Sequence, residues 1–281
     1  MINSWPSLYR RNQKKQMNIL KKGEFFGTHY QKSTFENIII TDTEYTHSKV
    51  DWHYHENPYF TYLLQGKLFE SNKKESYYLA PGSLLFHNWQ DAHYNIKPPE
   101  YTRGFHIELH ENWFLNYDIK ITDFEGSRNI KNPLTKNLMN KVYIESKIKD
   151  QYSNLGIETL MIEIFRNIKE NKKISAKKPD WANKLQELLI EERMDYSLNN
   201  LSSILGIHPI HLSREFHRYF GTSLSNYIRL LKVNKAFYLI ASNKISMTDI
   251  CYQCGFYDQS HFISNFKRIY NTTPTKLFRK M

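Results

Sequence analysis

Apolar positions along this chain recur at two different periods. Between residues 25 and 110 they form short runs rich in Tyr, Phe, Trp, Ile and Leu, broken by turns. Examples are Tyr59-Phe60-Thr61-Tyr62-Leu63-Leu64 and the stretch around Pro81-Gly82 that ends Leu84-Leu85-Phe86. Runs of this length and spacing predict an all-β barrel or sandwich. From Pro133 the period becomes helical, through Leu134, Leu138, Val142 and Ile148, then Leu155, Leu160, Ile164 and Ile168. Residues 171–179 are polar and basic and end in Pro179, which reads as a linker. Asp180 is expected to cap the helix that follows. Between Tyr227 and Ala241 helical spacing continues without Gly or Pro, predicting one unbroken helix that acts as a rigid spacer.

The helical half contains one phrase twice. Ser197-Leu198-Asn199-Asn200-Leu201 leads to Gly206-Ile207, and Ser246-Met247-Thr248-Asp249-Ile250 leads to Gly255-Phe256. His211/His261, Phe216/Phe266, Arg218/Arg268, Thr222/Thr272 and Arg229/Arg279 then match at a spacing of 50. A repeat of this length implies a duplicated structural unit. Each serine suits a helix N-cap, each glycine a left-handed turn, and each following apolar residue the angle between two helices. Two short helices joined by a tight glycine turn predict a helix-turn-helix, whose second helix can lie in a major groove. Its outward face is polar and partly basic. It offers Ile210, His211, Ser213, Arg214, His217 and Arg218 in the first copy, and Gln259, Ser260, His261, Ser264, Asn265, Lys267 and Arg268 in the second. These side-chain types hydrogen-bond base edges and phosphates.

Charge supports this picture. The formal net charge is +11, and residues 196–281 hold eleven Lys/Arg against three Asp/Glu. Excess cationic charge in the repeat fits a phosphate-binding surface.

These residues resemble the DNA-binding domain of the AraC/XylS family of bacterial transcription regulators. The resemblance covers about the last 100 residues, and its most specific part runs from Ile250 through Gly255, Phe256 and Gln259 to Arg268, ending in Thr273-Pro274. Asn271 stands where relatives usually carry Gly, Cys251 where they carry Ala, and Ser264 where they often carry Arg. The resemblance implies base contacts from Ile210, Ser213 and Arg214, and from Gln259, Ser260, His261 and Ser264. It also implies double-stranded DNA and RNA polymerase as partners, homodimerisation, and activation as the commoner mode.

The front of the chain resembles the cupin-like sensor barrel of many such regulators. His53-Tyr54-His55 puts two imidazoles on one face of a strand, and His93 follows Pro81-Gly82 by about a dozen residues. In metal-binding cupins a Glu follows the paired His by four or five positions; here Tyr59 and Phe60 occupy them. Glu56 would face the other way, and Asn88 and Gln90 stand where Pro and Gly are common. Three histidines can bind a divalent metal facially, but the balance favours hydrogen bonding within the barrel or contact with a small organic effector. No cofactor is expected, and the chain does not read as an enzyme. The expected effector pocket includes His53, His55, Tyr62 and His93, with Trp52, Tyr54, Phe86, Trp89 and Tyr94 as further candidate walls.

The two cysteines, Cys251 and Cys254, fall within the second repeat and read as core rather than as a redox or zinc pair. Arg10, Arg11, Lys14 and Lys15 precede no apolar h-region, and no run of 18 apolar residues occurs. A cytoplasmic protein without a membrane segment is expected. The resulting expectation is a two-domain α+β chain. A cupin-like barrel (1–132), helices that dimerise or cover the barrel (133–170) and a linker (171–179) precede an all-α double helix-turn-helix domain (180–281). The alternatives are a metal-dependent cupin enzyme with an accessory DNA-binding domain, or a sensor that has lost its ligand.

Overall fold

The computed structural model describes residues 18–89, 91–175, 178–189, 196–242 and 245–279. The basic N-terminal stretch, Gln90 and part of the expected linker lie outside these residues. Eleven strands are described: β1 (Asn18–Leu20), β2 (Thr28–Thr34), β3 (Ile38–Glu44), β4 (Lys49–His55), β5 (Tyr59–Gln65), β6 (Leu68–Asn72), β7 (Ser76–Leu79), β8 (Leu84–His87), β9 (His93–Ile96), β10 (Arg103–Leu109) and β11 (Arg128–Asn129). They form two sheets, ordered β1-β4-β9-β6-β7 and β11-β8-β5-β10-β3-β2. Apart from the parallel β1–β4 pair, all neighbours are antiparallel. The N-terminal part thus has the expected barrel-or-sandwich arrangement of short strands in two mostly antiparallel sheets.

Helices follow as α1 (Glu111–Asn116), α2 (Pro133–Ile148), α3 (Ser153–Ser175), α4 (Asp180–Leu188), α5 (Leu198–Leu205), α6 (Pro209–Phe220), α7 (Leu224–Ser242), α8 (Met247–Gln253), α9 (Gln259–Tyr270) and α10 (Pro274–Phe278). Helix α3 runs through Ser175, so the first part of the segment read as a linker is helical. Asp180 is the first residue of α4 rather than its cap; Pro179 occupies the cap position.

The second sheet is buried on both faces, which explains why β5 and β10 are buried at every position instead of alternating. One face carries the apolar core. Phe60 and Phe86 pack on Phe165 of α3 at 5.5 Å, and Phe105 packs edge-on to Tyr143 of α2 at 5.0 Å. Helices α2 and α3 therefore cover the sheet. Their buried stripe differs from the expected one, since Leu155 and Ile148 are exposed while Ile157, Met161 and Phe165 are buried. A buried ion cluster ties α2 to the sheet: Arg103 donates twice to Asp42 at 2.6 Å, and Lys147 donates to the same carboxylate at 2.7 Å.

Helix α7 is unbroken, as its composition demands, but it is more than a spacer. Leu224 and Tyr227 complete a core with Leu201, Leu212 and Phe216 of α5 and α6. Further along, Val233, Ala236, Phe237 and Ile240 belong to one continuous core with the sheet, α2 and the second repeat. Phe237 lies 5.7 Å from Tyr143 and 5.8 Å from Tyr270. A buried polar knot sits at this junction. Asn140 of α2 donates to Asn234 at 3.0 Å and to the Tyr270 hydroxyl at 2.7 Å. Asn234 donates to the Pro133 carbonyl at 2.9 Å, and the Tyr62 hydroxyl donates to Asn140.

Asn140→Leu leaves Asn234 and two tyrosine hydroxyls short of partners inside the core. It should cost about 1–3 kcal/mol per unsatisfied group, read as a lower urea midpoint; an unchanged midpoint would show that the knot contributes nothing. Gly255 has a φ of +71°. Gly255→Val should therefore lower stability by about 1–2 kcal/mol, and an unaltered thermal melt would contradict that turn.

Candidate nucleic-acid interface and barrel site

The repeat folds as two helix-turn-helix units with matching local chemistry. Ser197 and Ser246 cap α5 and α8 by accepting from the Asn200 and Asp249 amides. Gly206 and Gly255 adopt φ of +66° and +71°. The next residue closes each turn, with Ile207 N–H donating to the Ser202 carbonyl and Phe256 N–H to that of Cys251. The second helices start differently. Pro209 opens α6 behind the cap His208, whereas Asp258 caps α9 through the His261 amide at 2.7 Å. Asn271 ends α9 in the left-handed region, which Asn tolerates better than most residues.

Every outward residue expected on α6 is exposed: Ile210, His211, Ser213, Arg214, His217 and Arg218. Burying Leu212, Phe216 and Phe220 leaves that face to solvent. Arg214 and Arg218 flank Glu215 at 3.8 and 3.6 Å, weak exposed pairs that leave both guanidinium groups accessible. On α9, Gln259, Ser260, His261, Ser264, Lys267 and Arg268 are exposed. Asn265 is not: it is buried and its amide donates to the His261 carbonyl at 2.7 Å. It serves the helix rather than the outer face. Gln259 is steadied by donating to Thr248 at 2.7 Å. Cys251 and Cys254 are both buried among apolar neighbours.

The barrel interior is a second concentration of chemistry. His53, His55 and His93 come together, with ring centroids of His53 and His93 4.3 Å apart. Tyr62 does not join them. Alternation along β5 sends Tyr59 inward and Tyr62 outward, where it meets Tyr238 and Asn140. Phe86 likewise belongs to the outer core. Trp52 and Tyr94 lie in an open groove of about 770 Å³ on the outer face of the first sheet, beside Phe69 and Tyr78. Trp89 is half exposed.

Sequence reasoning missed most of the interior. His87, His106, Glu70 and Glu108 are all buried there. The signal was a polar residue within or ending an apolar run, as in Leu84-Leu85-Phe86-His87. Thr41 and Tyr45 hold the two nitrogens of His106 at 3.1 and 2.7 Å. Phe25 stacks on His106 at 4.1 Å and Phe26 meets His53 edge-on, so both phenyl rings lie against the histidines. Two groups of donors are close enough to share a metal ion: His53, His55 and His93, and Glu70, His87 and His93. Burial pushes His93 and His106 down to about 3, and His55 and His87 well below their ordinary value. Burial raises Glu70 to about 8.

The family description "Helix-turn-helix domain" matches residues 201–280. Over 94 residues the chain is 31% identical to the HTH-type transcriptional regulator GlxA of Rhizobium meliloti, covering 34% of this chain and 28% of that protein. Over 63 residues it is 36% identical to the HTH-type transcriptional activator RhaS of Escherichia coli, covering 22% and 23%. The matched segment is similar to the helix-turn-helix domains of these transcription regulators. This chain spans only about a quarter of the length of those curated relatives. Among solved structures, ToxT from Vibrio cholerae O395 aligns over 88% of this chain and 98% of its own, at 14% identity and a TM-score of 0.34. Among the described residues no helix is long and apolar enough to cross a membrane.

The buried imidazoles set the acid stability of the barrel. A group whose folded pKa is depressed below 6.5 must gain a proton on unfolding, so its contribution is complete above that value and lost as the pH falls. Glu70 and Glu108, both raised by burial, act in the opposite sense. Each group changes stability by about 1.4 kcal/mol per pH unit within its window. Four histidines outweigh two carboxylates, so the melting temperature in chelator should fall from about pH 7 to pH 5. His106→Gln should flatten that slope. A melting temperature independent of pH would contradict neutral buried imidazoles.

Proposed function

We propose that this chain is a sequence-specific, double-stranded-DNA-binding transcription regulator whose barrel controls how its two reading helices meet DNA. The observation that carries this is the pair of exposed polar faces on α6 and α9, both mounted on the single helix α7. Arg214, Arg218, Lys267 and Arg268 supply phosphate or guanine contacts, and Ser213, Gln259, Ser260, His261 and Ser264 supply shorter-range donors and acceptors. His211 and His217 flank the first face, and Ile210 offers an apolar contact to a thymine methyl. The names of the matched relatives, a transcriptional regulator and a transcriptional activator, support regulation; activation through contact with RNA polymerase is part of the proposal.

Control from the barrel has a physical route. The second repeat shares its core with α2 and β5, whereas the first packs in a core of its own with α4. A ligand that shifts the barrel wall would therefore move α9 with α7 and leave α6 hinged at the start of α7. A homodimer would present two such pairs to DNA. The alternative of a cupin enzyme draws no support from the names of the matched relatives, which are transcription regulators.

Selection from a random DNA pool with the full chain tests the reading. Two short motifs about one helical turn, roughly 34 Å, apart are expected. Arg214→Ala should weaken the selected site by about 1–3 kcal/mol relative to random DNA. An equal loss on all sequences would reassign Arg214 to phosphate, and salt-sensitive binding without any motif would defeat the proposal.

A further inference from the structure

We propose that the barrel holds one divalent transition-metal ion at Glu70, His87 and His93, a set that does not include the His53–His55 pair. The donor atoms of these three residues, from β6, β8 and the start of β9, all lie within 4.8 Å of one another, and all three residues are buried. The inference rests on the barrel alone and is independent of DNA binding.

The hydrogen bonds around the two imidazoles leave a lone pair on each nitrogen facing the site. His93 Nδ1 donates to the Asp91 carbonyl at 2.9 Å. The Ser127 hydroxyl donates to the Asp91 carboxylate at 2.5 Å, so its oxygen accepts from His87 Nδ1 at 3.4 Å. Asp91 thereby orients both rings, one through its carbonyl and one through Ser127. With Nδ1 protonated in both, each Nε2 is left as an acceptor. Metal-binding imidazoles are held in this manner, by a donor bond from the nitrogen that does not ligate.

One of those acceptors has no partner. His87 Nε2 is fully buried, makes no hydrogen bond, and lies 3.5 Å from a Glu70 oxygen. A buried nitrogen without a partner costs stability unless something fills the position. A cation between His87 Nε2 and Glu70 does so. His93 Nε2 now accepts from the Tyr59 hydroxyl at 3.0 Å; metal binding takes that lone pair and releases the hydroxyl.

Charge decides between this set and the one formed by His53, His55 and His93. Three neutral imidazoles leave a buried divalent ion with its full charge uncompensated, which is costly in an apolar surround. On binding, Glu70 releases its carboxyl proton to solvent and supplies an anionic oxygen that halves that charge. Two nitrogens and one carboxylate, with remaining positions for water, suit Zn²⁺, Fe²⁺ and their neighbours rather than Ca²⁺ or Mg²⁺.

The chelator-treated 281-residue chain titrated with Zn²⁺ by calorimetry, and with Co²⁺ by visible absorption, tests the site. One equivalent and a rise in melting temperature are expected. Glu70→Gln and His87→Gln should each weaken Zn²⁺ at least tenfold, while His53→Gln stays within about threefold of the parent. Melting of each metal-free variant establishes that it folds. Should a ligand variant fail to fold, Ser127→Ala keeps all three ligands and should still weaken binding about tenfold by freeing the His87 ring. Absence of Zn²⁺ binding overturns the proposal. So does loss on His53→Gln with Glu70→Gln unaffected, which would assign the ion to the paired histidines, and so does an unchanged affinity in Ser127→Ala.

Discussion

The structure depends on burying α7 from more than one side. A helix with apolar residues all round cannot stand in water, and this one meets two separate cores along its length. Its first turns close the core of α4, α5 and α6, and its later turns sit against α2, β5 and the second repeat. The polar knot of Asn140, Asn234, Tyr62 and Tyr270 specifies how that second contact is made. Buried amides and hydroxyls are costly when unpaired, so the barrel, α2, α7 and α9 have one arrangement in which all of them are satisfied.

That constraint makes the two helix-turn-helix units unequal despite their common local design. The serine caps of α5 and α8 and the glycine turns correspond closely, because each is set by a few residues near in sequence. Their surroundings do not correspond. The first unit is built around Phe216, Phe220 and Tyr227, while Tyr270 at the end of the second reading helix reaches into the knot with α2. In the proposed regulator, a rearrangement of the barrel would reach the second unit first, because only that unit shares its core with α2 and β5. Differential contact of this kind is the physical requirement for coupling between a sensing site and a DNA-reading surface.

The barrel has a divided interior, in which a small apolar cluster of Leu63, Leu68, Tyr77, Leu79 and Leu85 sits beside a dense group of buried ionisable side chains. Its second sheet places Phe60, Phe86, Phe105 and Ile107 against the helices, where they form the main core. The strand faces pointing into the barrel carry His53, His55, Glu70, His87, His93, His106 and Glu108. Such a concentration is expensive to fold, since burial opposes every charged state. Hydrogen bonds from Thr41, Tyr45, Tyr59, Asn57 and backbone groups offset that cost. The aromatic rings of Phe25 and Phe26 pack against the rings of this cluster.

What the sequence determined by itself is local. Ser197, Gly206, Ser246, Gly255 and Asn271 specify caps and left-handed turns through interactions reaching only three or four residues. The helical period of α6 and α9 separates buried from exposed positions, so the exposed polar faces were legible, with Asn265 the exception. The strand pattern declared a barrel but not its phase. Tyr62, expected in the pocket, points instead to Asn140, because the other face of β5 is covered by helices. Glu70 and His93 lie on neighbouring strands of the first sheet and His87 on β8 of the second, so only the packing of the two sheets brings the three together. The knot at Asn234 joins residues about a hundred positions apart. Contacts of that separation depend on how whole elements pack, and no short-range pattern encodes them.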